Sequence, residues 1–111
     1  MVIALRILTL RGQGRDIEVP IRIFKPEEEK KNSWSCKYEI VWPDGPRTMT
    51  AWGVDSVQSI FIAFQMIGSE IYTSNFHKSG QLYFDTPGGG YGFPVPTSLR
   101  DLLRGADARL L

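Results

Sequence analysis

WSCKYEIVW, residues 34–42, decides the fold. Trp34, Cys36, Tyr38, Ile40 and Trp42 fall on one side of the run, and Ser35, Lys37, Glu39 and Val41 on the other. Successive side chains of a strand point to opposite faces, so this period of two reads as a strand with one apolar face. Pro43-Asp44-Gly45-Pro46 supplies a turn after it, and residues 47–52, RTMTAW, return as an antiparallel strand.

Upstream, residues 2–10 alternate Ile3, Leu5 and Ile7 with Ala4, Arg6 and Leu8. A turn at Gly12-Gln13-Gly14-Arg15 follows. Ile17, Val19, Ile21 and Ile23 then alternate with Glu18, Pro20 and Arg22. Two such runs around a glycine-bearing turn form a hairpin. Pro20 lacks an amide hydrogen, which favours an edge strand or a bulge at that point. The stretch from Lys25 to Lys31 carries Lys25, Glu27, Glu28, Glu29, Lys30 and Lys31; its charges cancel, and it reads as a solvated loop.

Downstream the period changes. Asp55 is an N-cap, and Gln58 three residues later completes a capping box. Val57, Ile60, Phe61, Phe64, Ile67 and Ile71 recur at helical spacing to about Tyr72. Ile62 and Met66 stand off that stripe, so the helix is apolar on two sides. Such a helix is sandwiched within the domain or covered by another chain. Residues 73–79 read as a loop and residues 81–85 as a short strand. The segment PGGGYGFPVP, residues 87–96, is irregular because glycine and proline interrupt it. Thr97 or Ser98 caps a short helix, Leu99 to Arg104, that Gly105 ends. The expected architecture is α+β: one domain over residues 1–111, with an antiparallel sheet of four to five strands packed on one long helix and a short C-terminal helix.

Composition narrows the function. A chain of 111 residues with 42% hydrophobic and 23% charged side chains is globular, and its three Trp, four Tyr and six Phe stock a core. Thirteen Lys and Arg against twelve Asp and Glu give a net charge of +1, without the basic excess that phosphate binding requires. No nucleic acid is therefore expected. Lone Cys36 forms no internal disulfide, and no apolar run reaches the roughly 18 residues of a membrane span. The N-terminus, apolar but broken by Arg6 and Arg11, reads as neither a signal peptide nor a span. The expected location is the cytoplasm.

Candidate chemistry is sparse. His77 is the only histidine; Cys36 or Ser56 are the nucleophiles it would activate, with Asp55 or Asp85 to orient it, but no spacing joins them. One cysteine and one histidine do not make a zinc site, and Glu27 to Glu29 lie in a lysine-flanked loop, so neither metal nor cofactor is expected. Gly88 to Gly90 lack the Gly-Lys-Ser/Thr sequel of a phosphate loop.

Four segments together resemble a family of small bacterial proteins classed as a domain of unknown function: RILTL at residues 6–10, W-x-C-x-Y-x-I at Trp34 to Ile40, GVDSVQS at Gly53 to Ser59, and YGFPVPTSLRDLL at Tyr91 to Leu103. The resemblance implies a stand-alone bacterial cytoplasmic protein and brings no activity or site residue with it. Two functional expectations follow from the residues. The first is a non-enzymatic module that forms a homodimer or binds a protein partner, with Ile62 and Met66 as interface residues. The second is a small-molecule binder or enzyme with a pocket at the 86–96 loop, using His77, Asp85, Tyr91, Phe93 and Arg100.

Overall fold

The computed structural model describes residues 1–111. Its strands are β1 (Val2–Leu10), β2 (Ile17–Phe24), β3 (Glu27–Lys30), β4 (Ser33–Trp42), β5 (Gly45–Gly53) and β6 (Leu82–Tyr83). Its helices are α1 (Ser56–Thr73), α2 (Asn75–Lys78) and α3 (Ala106–Leu110), with a 3-10 turn at Thr97–Leu102. All six strands join one antiparallel sheet, one more than the largest number expected.

The meander β1–β2–β4–β5 forms the body of the sheet, and β6 attaches to the far side of β1 at Thr9 and Leu10. β3 is the unforeseen strand: it continues the line of β2 and pairs with the first residues of β4, Ser33 to Ser35. Its side chains are all exposed. Charge patterning therefore reads it as a loop, whereas its backbone serves as a charged edge, which suppresses unwanted pairing. Pro20 lies in an interior strand, but the pairing of β2 with β4 begins only at Ile21, so its missing amide hydrogen falls where that ladder has ended.

One face of the sheet is covered. Leu8, Val19, Ile21, Ile23, Cys36, Tyr38, Ile40, Trp42 and Ala51 are buried there, so the tryptophan-bearing strand runs in the expected phase. α1 lays Ser59, Ala63, Ile67 and Ile71, one column at four-residue spacing, among the buried residues of the core. The Asp55 carboxylate accepts from the Gln58 amide at 2.8 Å, and the Gln58 side chain accepts from the Val54 amide at 2.7 Å, closing a variant of the capping box. Tyr38 of β4 donates to Glu70 of α1, which also pairs with Arg47 of β5.

The helix is rotated relative to the expected stripe. Val57 and Phe61, read as core, are exposed. Ile62 and Met66, read as an interface, are half-buried beside Tyr38 and Met49 and pack on the core. The second apolar flank of α1 is covered largely by its own chain. At Gly68 the Pro94 carbonyl comes so close that a Cβ would lie 1.9 Å from its oxygen. Residues 73–79 hold the short helix α2, whose Phe76 stacks on Trp42 with ring centroids 5.1 Å apart. The expected helix at Leu99 to Arg104 is a 3-10 turn with no side-chain cap, and α3 follows it after Gly105.

Gly68 generates a test. Replacing glycine by alanine inside a helix ordinarily stabilises by about 1 kcal/mol. Here the methyl group must displace the Pro94 backbone, so Gly68→Ala should destabilise by about 1–3 kcal/mol in urea denaturation. A variant as stable as the parent would refute the contact.

Candidate functional site

The chain after β6 folds back along α1 and ends in a polar cluster. Asp107 of α3 is buried and accepts three hydrogen bonds: from the Tyr72 hydroxyl at 2.6 Å, the Tyr91 amide at 2.8 Å and the Gly92 amide at 2.9 Å. Three donors satisfy the carboxylate oxygens in a place where an unpaired polar group would be costly. The approach needs glycine: a Cβ on Gly90 would lie 2.3 Å from the Asp107 carboxyl carbon.

Arg104 closes the other side. Its guanidinium donates to the Gly89 carbonyl at 2.9 Å, the Leu82 carbonyl at 3.0 Å and the Tyr91 hydroxyl at 2.7 Å. His77 Nδ1 lies 2.6 Å from that same hydroxyl. The Tyr91 hydroxyl also lies 3.3 Å from the Leu82 carbonyl, to which it donates, so one phenol links Arg104, His77 and the β6 backbone. Burial, then the positive charges of Arg104 and Lys78, hold the His77 pKa below its ordinary value. The Tyr91 hydroxyl is pushed up to about 12, chiefly by burial, and that of Tyr72 is raised too, chiefly by burial and then by its bond to Asp107. Both phenols stay protonated at neutral pH and serve as donors rather than nucleophiles.

Beside this cluster opens a cleft of about 520 Å³, lined among others by Arg6, Asp85, Thr86, Gly92, Asp107 and Arg109. Arg6 occupies an inward position of β1. Its Nη1 donates to the Tyr91 carbonyl at 3.0 Å, and its guanidinium lies 4.4 Å from the centre of the Phe84 ring. Gly92, at φ +83°, makes room for it, since a Cβ there would lie 2.2 Å from Arg6 Nη1.

Of the five residues expected at this loop, the structure brings His77 and Tyr91 together. Asp85 is exposed on the cleft wall with φ +63°. Phe93 is buried against Phe64, and Arg100 lies exposed on the 3-10 turn, outside the cluster. Sequence reading passed over Tyr72, Arg104, Asp107 and Arg6. Arg6 alone left a signal, a charge in the same phase as Leu8. The polar partner of His77 is Tyr91, and none of Cys36, Ser56, Asp55 or Asp85 joins it through a hydrogen bond. Cys36 is buried with its thiol pKa raised by that burial, and it donates to the Phe24 carbonyl. No three His, Cys, Asp or Glu side chains converge as metal ligands, and no helix is long and apolar enough to cross a membrane. Every buried side-chain nitrogen and oxygen has a hydrogen-bond partner, so the cluster holds together as a clamp on the returning chain.

Two measurements check this clamp. Asp107→Asn puts an amide that is itself a donor among three donors, and should cost on the order of 3 kcal/mol with an unchanged denaturant slope. A loss below about 0.5 kcal/mol would show that the carboxylate is dispensable. His77, neutral in the fold, titrates near 6.5 once unfolded. Its contribution to stability is therefore complete above that pH and is lost as acid carries the solution down through the folded value. Stability of the parent should fall below about pH 6.5 more steeply than that of His77→Asn; identical profiles would remove the histidine from the account.

Comparison with known proteins adds one finding. No curated protein and no solved structure matches the chain. Residues 4–95, from β1 through the glycine and proline loop, match the family described as domain of unknown function DUF6968. The chain belongs to that family.

Proposed function

We propose that this chain is a non-enzymatic protein-interaction module of the bacterial cytoplasm, and that its working surface is the uncovered face and free edge of β1. One observation carries the reading. Ile3, Leu5 and Ile7 point to the face that no helix covers and are 47%, 57% and 39% exposed, on a strand whose outer edge is unpaired from Val2 to Leu8. Apolar side chains in a row beside free backbone donors and acceptors are the elements by which a sheet accepts another strand. Ile62 and Met66 are poorer candidates, being half-buried against their own core.

A photo-reactive amino acid at Leu5, introduced into the full chain in its native cell, tests this. Discrete protein adducts should form there and be absent when the same group replaces Leu102, an exposed residue of the 3-10 turn. Equal or no labelling at the two positions would overturn the reading.

A second reading, small-molecule binding, is supported by the cleft of about 520 Å³, whose lining includes Arg6, Arg109 and the glycines Gly89, Gly90 and Gly92. Phosphate and citrate should then shift the amide resonances of Gly89, Gly90 and Gly92 saturably, and Arg109→Ala should weaken the effect. Resonances that do not move would reject it.

A further inference from the structure

We propose that the strand received by β1 is the β1 of a second copy, paired antiparallel about a two-fold axis at Leu5; this rests on the interaction reading above. Of the two long outer strands, only β1 is suited to it. The outer strand β5 carries Gly45, Pro46, Arg47 and Gly53, and proline, glycine and charge all discourage further pairing. β1 carries one charge and no proline or glycine.

β6 defines the free window. It occupies Thr9 and Leu10, which leaves Val2 to Leu8 outside its ladder with Leu5 at the midpoint, Leu8 itself being fully buried. Of the exposed apolar residues of β1, Val2, Ile3, Leu5 and Ile7, the last three are evenly spaced about the same residue. A two-fold axis there sets Leu5 against its own copy and Ile3 against Ile7 of the second chain. Like side chains meet across the seam, and β6 of each copy stops the other from sliding further.

Backbone direction agrees. The Arg11 amide donates to the Gln81 carbonyl, on the β6 side of β1. Strand alternation then aims the amide and carbonyl of Thr9, Ile7 and Leu5 the same way, outward where β6 has ended. β1 bulges at Ile3, where it holds one residue more than β2 between Val2 and Ala4. The bulge leaves Ala4 to Leu8 as the regular part of the edge, which would equally admit an axis at Arg6. Charge decides between the two. An axis at Arg6 sets two guanidinium-bearing residues directly opposite each other, a repulsive pair, whereas an axis at Leu5 sets Arg6 opposite Ala4. With a net charge of +1 the chain offers little overall repulsion to its own copy.

Cysteine scanning of the full chain separates the registers. In a hydrogen-bonded antiparallel pair the Cα atoms lie about 5.5 Å apart, within the roughly 4.4–6.8 Å a disulfide spans. Leu5→Cys should therefore oxidise to a covalent dimer. Ile7→Cys, about 13 Å from its own copy at about 3.3 Å per residue, should not. Leu5→Lys, at an exposed site, should keep the parent circular dichroism and raise the dimer dissociation constant at least tenfold in sedimentation equilibrium. The proposal is overturned if the parent stays monomeric at 200 μM, if Leu5→Lys dimerises as well as the parent, or if Leu5→Cys cross-links only in a mixture with Ile7→Cys. Photo-adducts from Leu5 to other proteins, without adducts to itself, would overturn self-pairing and leave the interaction reading in place.

Discussion

A single 18-residue helix covers one face of a six-stranded sheet, and the rest of the molecule is arranged around that asymmetry. The column Ser59, Ala63, Ile67 and Ile71 combines small residues with large ones, so α1 sits close to β4 and β5. That leaves the β1 side of the covered face to the returning C-terminal segment, which fills it with Tyr91, Phe93 and Val95 beside Leu82 of β6. The opposite face has no such cover. On β4 and β2 it is solvated by polar groups such as the Arg22–Glu39 pair at 3.0 Å, but on β1 it is apolar. A packed domain ordinarily buries such a row, and its exposure is what supports the proposed interaction surface.

Asp107 and Arg104 hold the returning segment in place. Loops rich in glycine lose much conformational entropy on ordering, and here that loss is offset by concentrated charge-assisted hydrogen bonds. The clamp reaches the sheet directly, because Arg6 of β1 donates to the same loop at Tyr91. Arg6 thus reinforces the phase that fully buried Leu8 sets for its strand. With its guanidinium held inside by Tyr91 and Phe84, the alternation must turn Leu5 and Ile7 outward. The phase that buries Leu8 and holds Arg6 inside thereby exposes an apolar row on the other face.

Much of this architecture was legible where local and global preferences coincide. WSCKYEIVW alternates cleanly because its two faces differ in environment, and Asp55 with Gln58 marks the helix start because the orphan amides there need those acceptors. The misreadings have equally local causes. Glu27 to Lys30 pair through backbone alone, so their side chains give no strand signal. Val57 and Phe61 share a flank of α1 with Gly68 and Tyr72, but the C-terminal segment covers only the latter two, a fact set by tertiary reach rather than by helical period. Of the candidate site, His77 and Tyr91 were accessible to reading because they flank an unusual loop. Asp107 and Arg104 were not, because their partners, loop backbone groups and the Tyr72 and Tyr91 hydroxyls, are far away in sequence.

The central claim is that the outward backbone of β1 is a pairing edge. Amide hydrogen exchange followed residue by residue at low and high protein concentration reports on it most directly, since an unpaired edge amide exchanges freely and a paired one does not. Protection confined to Leu5 and Ile7 and growing with concentration would bear the account out. Rates at those two amides that stay fast and independent of concentration would contradict it.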